Sequence, residues 1–271
     1  MNYRHAFHAG NFADLVKHAA LTLVLARLTG EPGPLTVIDT HAGAGGYDLT
    51  GEMARRSGEA AQGVARLMAA DDAPAAFDGL KAAVRAMGGA DLYPGSPRLI
   101  AAAMRPGDRY IACELREDDK ALLAQTLAPT KGAEARQADG YATAAAETPA
   151  KGRALVLIDP PFERGDDYRN IVETLRAVLA RNPAATVAVW LPLKDLETFD
   201  ALLRGVEGTG AKALVAEARL RPLIDPLKMN GCAMLLVGAP DNLIGPLEDV
   251  CRWVVERLGD RGGLAKVWRL G

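Results

Sequence analysis

An α/β chain built on a largely parallel sheet, with a small helical insertion after its first strand, is the fold class the sequence predicts. Three observations lead there. Apolar runs end beside an acid at Leu35–Asp39, at Arg109–Cys113 before Glu114 and at Arg153–Ile158 before Asp159. Helical patterns alternate with these runs, as in a parallel α/β sheet. Finally, 75 positions separate Asp39 from Glu114, whereas a strand-helix-strand unit puts its second acid only ~20 residues on.

Asn11 precedes Phe12, Leu15, Val16, Ala19, Leu23 and Val24 at helical spacing, and Gly30 and Pro32 close the run. The pattern predicts an opening helix capped by Asn11. Leu35–Asp39 leads into the glycine-rich turn His41–Gly46, the form of a buried parallel strand with a loop at its carboxyl end. Helical runs over Glu52–Ala70 and Pro74–Met87 carry no strand signal. They place a helical insertion subdomain at 51–91 and leave 1–50 and 92–271 to the main domain. Ser96 as N-cap, with Pro97 at the first helical position, opens a helix to Arg105. Further helices are expected over Glu117–Leu127, Ala142–Glu147, Tyr168–Ala180, Asp195–Val206 and Leu247–Leu258. The β-like runs Thr186–Leu191, Ala213–Leu220 and Ala233–Gly238 bring the strands to about six or seven. Only Arg221–Cys232 joins the last two, too little for a long crossover, so an antiparallel pair at one edge is expected.

At 49% hydrophobic and 24% charged residues, the composition excludes a mostly disordered or collagenous chain. Thirty-four acids against 32 bases give a net charge of −2, so any basic face for nucleic acid must be local. Two stretches qualify weakly: Arg252–Gly271 has five bases against two acids, and Arg204–Gly231 has five against three. No apolar stretch approaches the ~18 residues of a membrane span, and the N-terminus lacks a signal-peptide plan, so a cytoplasmic protein is expected. Cys113, Cys232 and Cys251 form no C-x-x-C pair, which argues against a disulfide frame or a structural zinc site.

Asp159-Pro160-Pro161-Phe162 follows the strongest strand run. Methylating an exocyclic aromatic amine is hard because its lone pair is delocalised into the ring. A carboxylate and a rigid carbonyl, each accepting one N–H, would draw the nitrogen toward tetrahedral geometry. Consecutive prolines fix the carbonyl's direction and need no N–H partner, and the adjacent aromatic ring can stack on a base turned out of its stack. The alternative is an ordinary strand-end turn with Phe162 in the core. Asp39-Thr40-His41-Ala42-Gly43-Ala44-Gly45-Gly46 lets the backbone approach a cofactor, but Asp48 stands where G-x-G-x-x-G wants its last glycine, which disfavours a dehydrogenase. An acid just before the glycines suits the amino group of S-adenosylmethionine. Glu114 would accept the ribose hydroxyls, and Asp139-Gly140, after the third strand, would meet the adenine amine. All four histidines lie within the first 41 residues; His5, His8 and His18 could ligate zinc, but no supporting carboxylate spacing appears, and no metal site is expected. Lys17 and His18 lie one turn from Asp14, and a capped helix beside the cofactor is the preferred reading.

Together these segments resemble the RlmJ family of 23S ribosomal RNA adenine N6-methyltransferases. The resemblance rests on Y-R-H-x-F-H-A-G-N-x-A-D-x-x-K-H at Tyr3–His18, D-T-H-A-G-A-G at Asp39–Gly45, Y-P-G-S-P at Tyr93–Pro97, Glu114, A-D-G at Ala138–Gly140 and L-I-D-P-P at Leu157–Pro161. It implies a class I S-adenosylmethionine-dependent methyltransferase (Rossmann-like) sheet with a helical insertion. It further implies an S-adenosylmethionine site lined by His18, His41, Ser96, Glu114, Asp139, Gly140 and Asp159, beside the Lys17, Asp39 and Gly43 already singled out. Asp159, with Pro160 and Phe162, would be catalytic, and Tyr3 and Phe162 would contact the RNA. Phe162 stands where the family often has tyrosine, so stacking survives without a hydroxyl. Beyond Phe162 the match thins to positions such as Asn230-Gly231. The activity implied is methylation of N6 of one adenine of 23S ribosomal RNA, the family's adenine 2030, on naked or partly assembled RNA, by a monomer. A DNA adenine methyltransferase and a non-catalytic RNA-binding assembly factor are the alternatives.

Overall fold

Every residue of the run Ala154–Ile158 is buried, so this strand needs cover on both faces, and the chain is arranged to supply it. The computed structural model describes residues 5–89, 91–225 and 228–271. A 3₁₀ turn at His5–Phe7 precedes α1 (Phe12–Thr29), β1 (Leu35–Asp39) and the short β2 (Gly46–Asp48). The helices α2 (Glu52–Ser57), α3 (Glu59–Gln62), α4 (Val64–Ala69) and α5 (Asp78–Ala86) come next, then β3 (Leu92–Pro94), which pairs with β2, and α6 (Ser96–Ala103). The remaining order is β4 (Arg109–Cys113), α7 (Glu117–Leu127), β5 (Ala133–Arg136), α8 (Gly140–Glu147), β6 (Arg153–Ile158), α9 (Asp167–Arg181), β7 (Thr186–Leu193) and α10 (Leu196–Glu207). It ends with β8 (Ala213–Arg219), β9 (Gly231–Val237), α11 (Ile244–Leu258) and β10 (Leu264–Leu270).

The main sheet runs β10-β8-β9-β7-β6-β1-β4-β5. Its β5-β4-β1-β6-β7 part is parallel, and β9, β8 and β10 join antiparallel. Alternation of side chains splits the core into two layers. Val37, Tyr110, Leu155 and Leu157 meet the layer of α1, α5, α6 and α11, while Ile38, Ile111, Val156 and Ile158 meet that of α8, α9 and α10. Residues of the inserted helices, Val64, Leu67, Leu80 and Val84, share the first of these cores with Leu15 and Leu21 of α1. The approach is close enough that a Cβ on Gly63 would strike the Gly10 carbonyl, whose oxygen accepts the Val64 N–H at 2.8 Å.

Asn11 caps α1 as expected, accepting the Asp14 N–H at 3.0 Å. Ser96 does not cap α6: Gly95 is the N-cap, and the Ser96 hydroxyl is drawn inward to donate to the buried Asp39 carboxylate at 2.7 Å. β8 and β9 are an antiparallel pair but not the edge, because β9 inserts between β7 and β8, and β10 closes that side. β10 has a polar alternating pattern and β5 reads Ala133-Glu134-Ala135-Arg136, so neither carries the apolar run that marks a buried strand. The first inserted helical run breaks into three short helices at Gly58 and Gly63. Among the described residues no helix is long and apolar enough to cross a membrane.

Candidate active site

β1 lies between β4 and β6, which lead away from it in opposite directions. Open parallel sheets bind ligands in the crevice at such a switch point, beyond the carboxyl ends of the strands. Here that crevice is a cavity of about 880 Å³, walled by the turns after β1, β4, β6 and β7 and roofed by the start of α1 and by α2.

At one end stands Glu114, just past β4. Its two carboxylate oxygens accept the backbone N–H groups of Gly43 at 3.1 Å and Arg116 at 2.7 Å, which aim it along the cavity wall. Burial raises its pKa, against the pull of those N–H donors. Gly43 turns with φ +64°, and a Cβ there would meet the Tyr47 hydroxyl. Beside Glu114, Leu115 and Leu122 are 45% and 50% exposed, yet both line the cavity, offering apolar faces next to an acid. Asp139 and Gly140 complete this end; Asp139 also caps α8 through the Ala142 N–H at 3.0 Å. His41 closes the wall edge-on to Tyr141, with ring centroids 4.9 Å apart, and burial lowers its pKa to about 4.

At the other end stands Asp159, just past β6. Lys17 Nζ donates to its Oδ2 at 2.7 Å and lies 2.9 Å from Asp14 Oδ1, so α1 contributes a buried cation shared by two carboxylates. Burial would strip the Lys17 proton, but the two carboxylates outweigh it and hold the ammonium well above its ordinary pKa. Asp14 is held down despite its burial by His5 and Lys17, and its Oδ2 also accepts the Gly10 N–H at 2.9 Å. His18 behaves oppositely: burial pushes it down to about 3, and the neutral ring is hydrogen-bonded to the Tyr93 hydroxyl at 2.8 Å.

Pro160 and Phe162 line the cavity beside Asp159. Phe162 has φ +51°, and no other described non-glycine residue has a positive φ. An aromatic residue in that region is strained, and such strain clusters where a site needs it. Its ring centroid lies 5.0 Å from Tyr168 and 5.8 Å from Trp190, and Lys17 Nζ sits 5.9 Å from the Trp190 ring. One aromatic group and one ionic triad thus share a wall.

Ser96, Lys17 and His18 lie on the cavity wall as well. Asp39 does not. It is fully buried beneath the wall, its Oδ2 accepting from Ser96 at 2.7 Å and Tyr110 at 3.3 Å, and burial raises its pKa to about 6. It sits beneath Ser96, which is itself on the wall. Tyr3 lies outside the described residues. The three histidines weighed for zinc are separately engaged, His5 with Asp14 at 3.0 Å, His8 with Glu59 at 3.0 Å and His18 with Tyr93. Sequence reasoning passed over Trp190, Lys194, Leu115 and Leu122. The Asp14–Lys17 spacing of one helical turn was legible; Trp190, inside an apolar strand, had no signal.

A sheet of order β5-β4-β1-β6-β7-β9-β8, with a carboxylate at the β4 end and Asp-Pro-Pro-Phe at the β6 end of one crevice, defines a class I, Rossmann-like methyltransferase. Residues 32–270 match the family described as "Ribosomal RNA large subunit methyltransferase D, RlmJ". The chain belongs to this family, and methyl transfer to large-subunit ribosomal RNA is its activity. It is 33% identical over 267 residues to "Ribosomal RNA large subunit methyltransferase J" of Escherichia coli, covering 97% of this chain and 95% of that one. The namesake from Haemophilus influenzae is 31% identical with the same coverage. A solved structure from Legionella pneumophila superposes with a TM-score of 0.89 at 26% identity, over 96% of this chain and 98% of the other.

Proposed function

We propose that this chain methylates N6 of a single adenine in naked or partly assembled 23S ribosomal RNA, with S-adenosylmethionine as donor. The observation that carries the reading is the shared wall of Lys17–Asp159 and the strained Phe162, facing Glu114 across one cavity. The residues at the Glu114 end fit the donor. Glu114 is a preaimed acceptor for a ribose diol, Leu115 and Leu122 supply ring-sized apolar faces, and Asp139 offers an acceptor for an exocyclic amine. The main domain of 1–50 and 92–271 would carry this site, and 51–91 would be a subdomain beside its mouth. The chain would work in the cytoplasm as a monomer.

S-adenosylmethionine, when bound, supplies an electrophilic methyl group on a sulfonium. The chain's work is to present a nucleophile. Lys17 occupies one oxygen of Asp159, leaving the other to accept one amine N–H while the Pro160 carbonyl accepts the second. Loss of conjugation would free the amine lone pair for in-line attack on that methyl group, whose bonding pair would stay with the departing thioether, and the nitrogen would then give up one proton to solvent. Phe162 holds the base by its face. Orientation supplies much of the acceleration.

The test is mass spectrometry of 23S RNA transcripts and matched DNA oligonucleotides after incubation with labelled S-adenosylmethionine. Label on N6 of one adenine of the RNA is expected. Label confined to DNA, or absent from both, overturns the reading.

A further inference from the structure

The rim of the cavity on the β7 side carries a cation that the protein leaves unengaged. Lys194 follows the last residue of β7, is exposed and lines the cavity, and its ammonium has no ion pair or hydrogen bond among the described residues. The other basic side chains of that wall are committed: Lys17 to Asp14 and Asp159, Arg116 to Asp118 and Asp119, Arg164 to Asp166.

The connection between β8 and β9 is tied to the same place. Asn230, 1% exposed, donates from Nδ2 to the Lys194 carbonyl at 3.3 Å and to the Asp225 carbonyl at 2.7 Å, and its backbone N–H donates to the Leu193 carbonyl at 2.9 Å. A buried amide with these three bonds is a clasp, and it leaves Met229 on the cavity wall. Ahead of the clasp stands Ile224, 84% exposed, against 50% for Leu122, the next most exposed large apolar residue among the described residues. A lone surface isoleucine is ordinary. This one lies between Arg221, which is paired with Asp260, and Lys228, which is paired with Asp225, one residue ahead of the Asp225 carbonyl that the clasp holds.

We propose that Lys194 and Ile224 hold the nucleotides flanking the target adenine. Lys194 takes a phosphate, and Ile224 covers the base face laid bare when the adenine leaves its stack. Backbone contacts set register on a nucleic acid, and apolar side chains recurrently fill unstacked steps. With a net charge of −2 the chain has no long-range pull on RNA, so a single unpaired lysine at the rim carries more weight than it would on a basic surface. The proposal rests on the reading of the cavity as an RNA adenine site.

Methyl transfer to a 23S transcript is measured across a salt series for the wild type, Lys194→Gln and Ile224→Ser, with S-adenosylmethionine affinity and melting temperature alongside. Both positions are exposed, so both variants should fold. Lys194→Gln is expected to raise KM for RNA severalfold and to flatten the slope of log KM against log salt by about 0.7, one phosphate's worth on a single strand, with cofactor affinity unchanged. Ile224→Ser is expected to lower kcat/KM on the structured transcript and to spare a short unstructured oligonucleotide. Wild-type KM and salt slope in Lys194→Gln, or wild-type kcat/KM on both substrates in Ile224→Ser, overturns that residue's assignment, as does an effect confined to cofactor affinity. If the wild type itself leaves RNA unmethylated, it is the underlying reading that fails.

Discussion

Lys17 and Asp159 come from positions 142 residues apart and meet at 2.7 Å with Lys17 almost wholly inside the protein. Each therefore depends on the other: the carboxylate keeps the ammonium charged, and the ammonium fixes which carboxylate oxygen is free. Asp159→Asn retains an oxygen toward Lys17 but loses the charge that, on the proposed reading, would polarise the amine. Its turnover is expected to fall about 100-fold or more, the scale of losing a preorganised polar partner, with the melting temperature nearly kept. A rate within a few-fold of wild type would remove Asp159 from the mechanism. Glu114 stands at the far end of the cavity, where, on the proposed reading, it would hold the ribose, with contacts alike in ground state and transition state. Glu114→Ala should weaken S-adenosylmethionine binding, read by calorimetry, far more than it lowers kcat at saturation.

Between elements, one bridge links the start of α1 to the inserted helices. His8 Nδ1 contacts Glu59 at 3.0 Å, and Asn11 Nδ2 donates to the other Glu59 oxygen at 2.9 Å. The hydrogen bond to Glu59 raises the His8 pKa from 6.5, against burial; Glu59 is lowered from 4.5 by His8 and Asn11, also against burial. The signs define a window. The His8 contribution is complete below pH 6.5 and is lost as pH rises through its folded pKa, and the Glu59 contribution is complete above pH 4.5 and is lost as pH falls through its own. Protection of the α2 and α3 amides, corrected for the intrinsic pH dependence of exchange, is therefore expected to be greatest between those limits and to fall as the pH rises past 6.5. Glu59→Gln should flatten the dependence. Both groups are part-exposed, so salt should weaken the effect.

At the scale of the whole molecule, the inserted helices have no core of their own. Phe77 packs edge-on against Trp253 of α11 with centroids 5.2 Å apart, and both belong to the layer that contains α1. Heating should give one calorimetric transition; two resolved transitions would make the insertion an independent unit. Trp253→Ala should cost about 3–5 kcal/mol. Trp253→Phe should cost much less, since the indole N–H has no partner in the structure.

Local pattern was enough to read the strands that end in acids, the helix capped by Asn11 and the Asp-Pro-Pro-Phe turn, because burial on both faces and backbone restriction by proline and glycine leave their marks within a few residues. The parallel sheet and the run of helices inserted after β1 follow from those marks, and Glu114, His41 and Asp159 stand on the walls of one cavity. Only the tertiary structure decided the rest. Asp39, at the end of β1, lies buried beneath the cavity wall and accepts from Ser96, which lies on the wall itself. The Asp14–Lys17–Asp159 triad, the place of Trp190 behind Phe162 and the clasp of Asn230 on Lys194 join segments tens of residues or more apart. β5 and β10 are strands by virtue of the neighbours they pair with. Such contacts are set by which faces the sheet order brings together, and no local run of residues encodes that order.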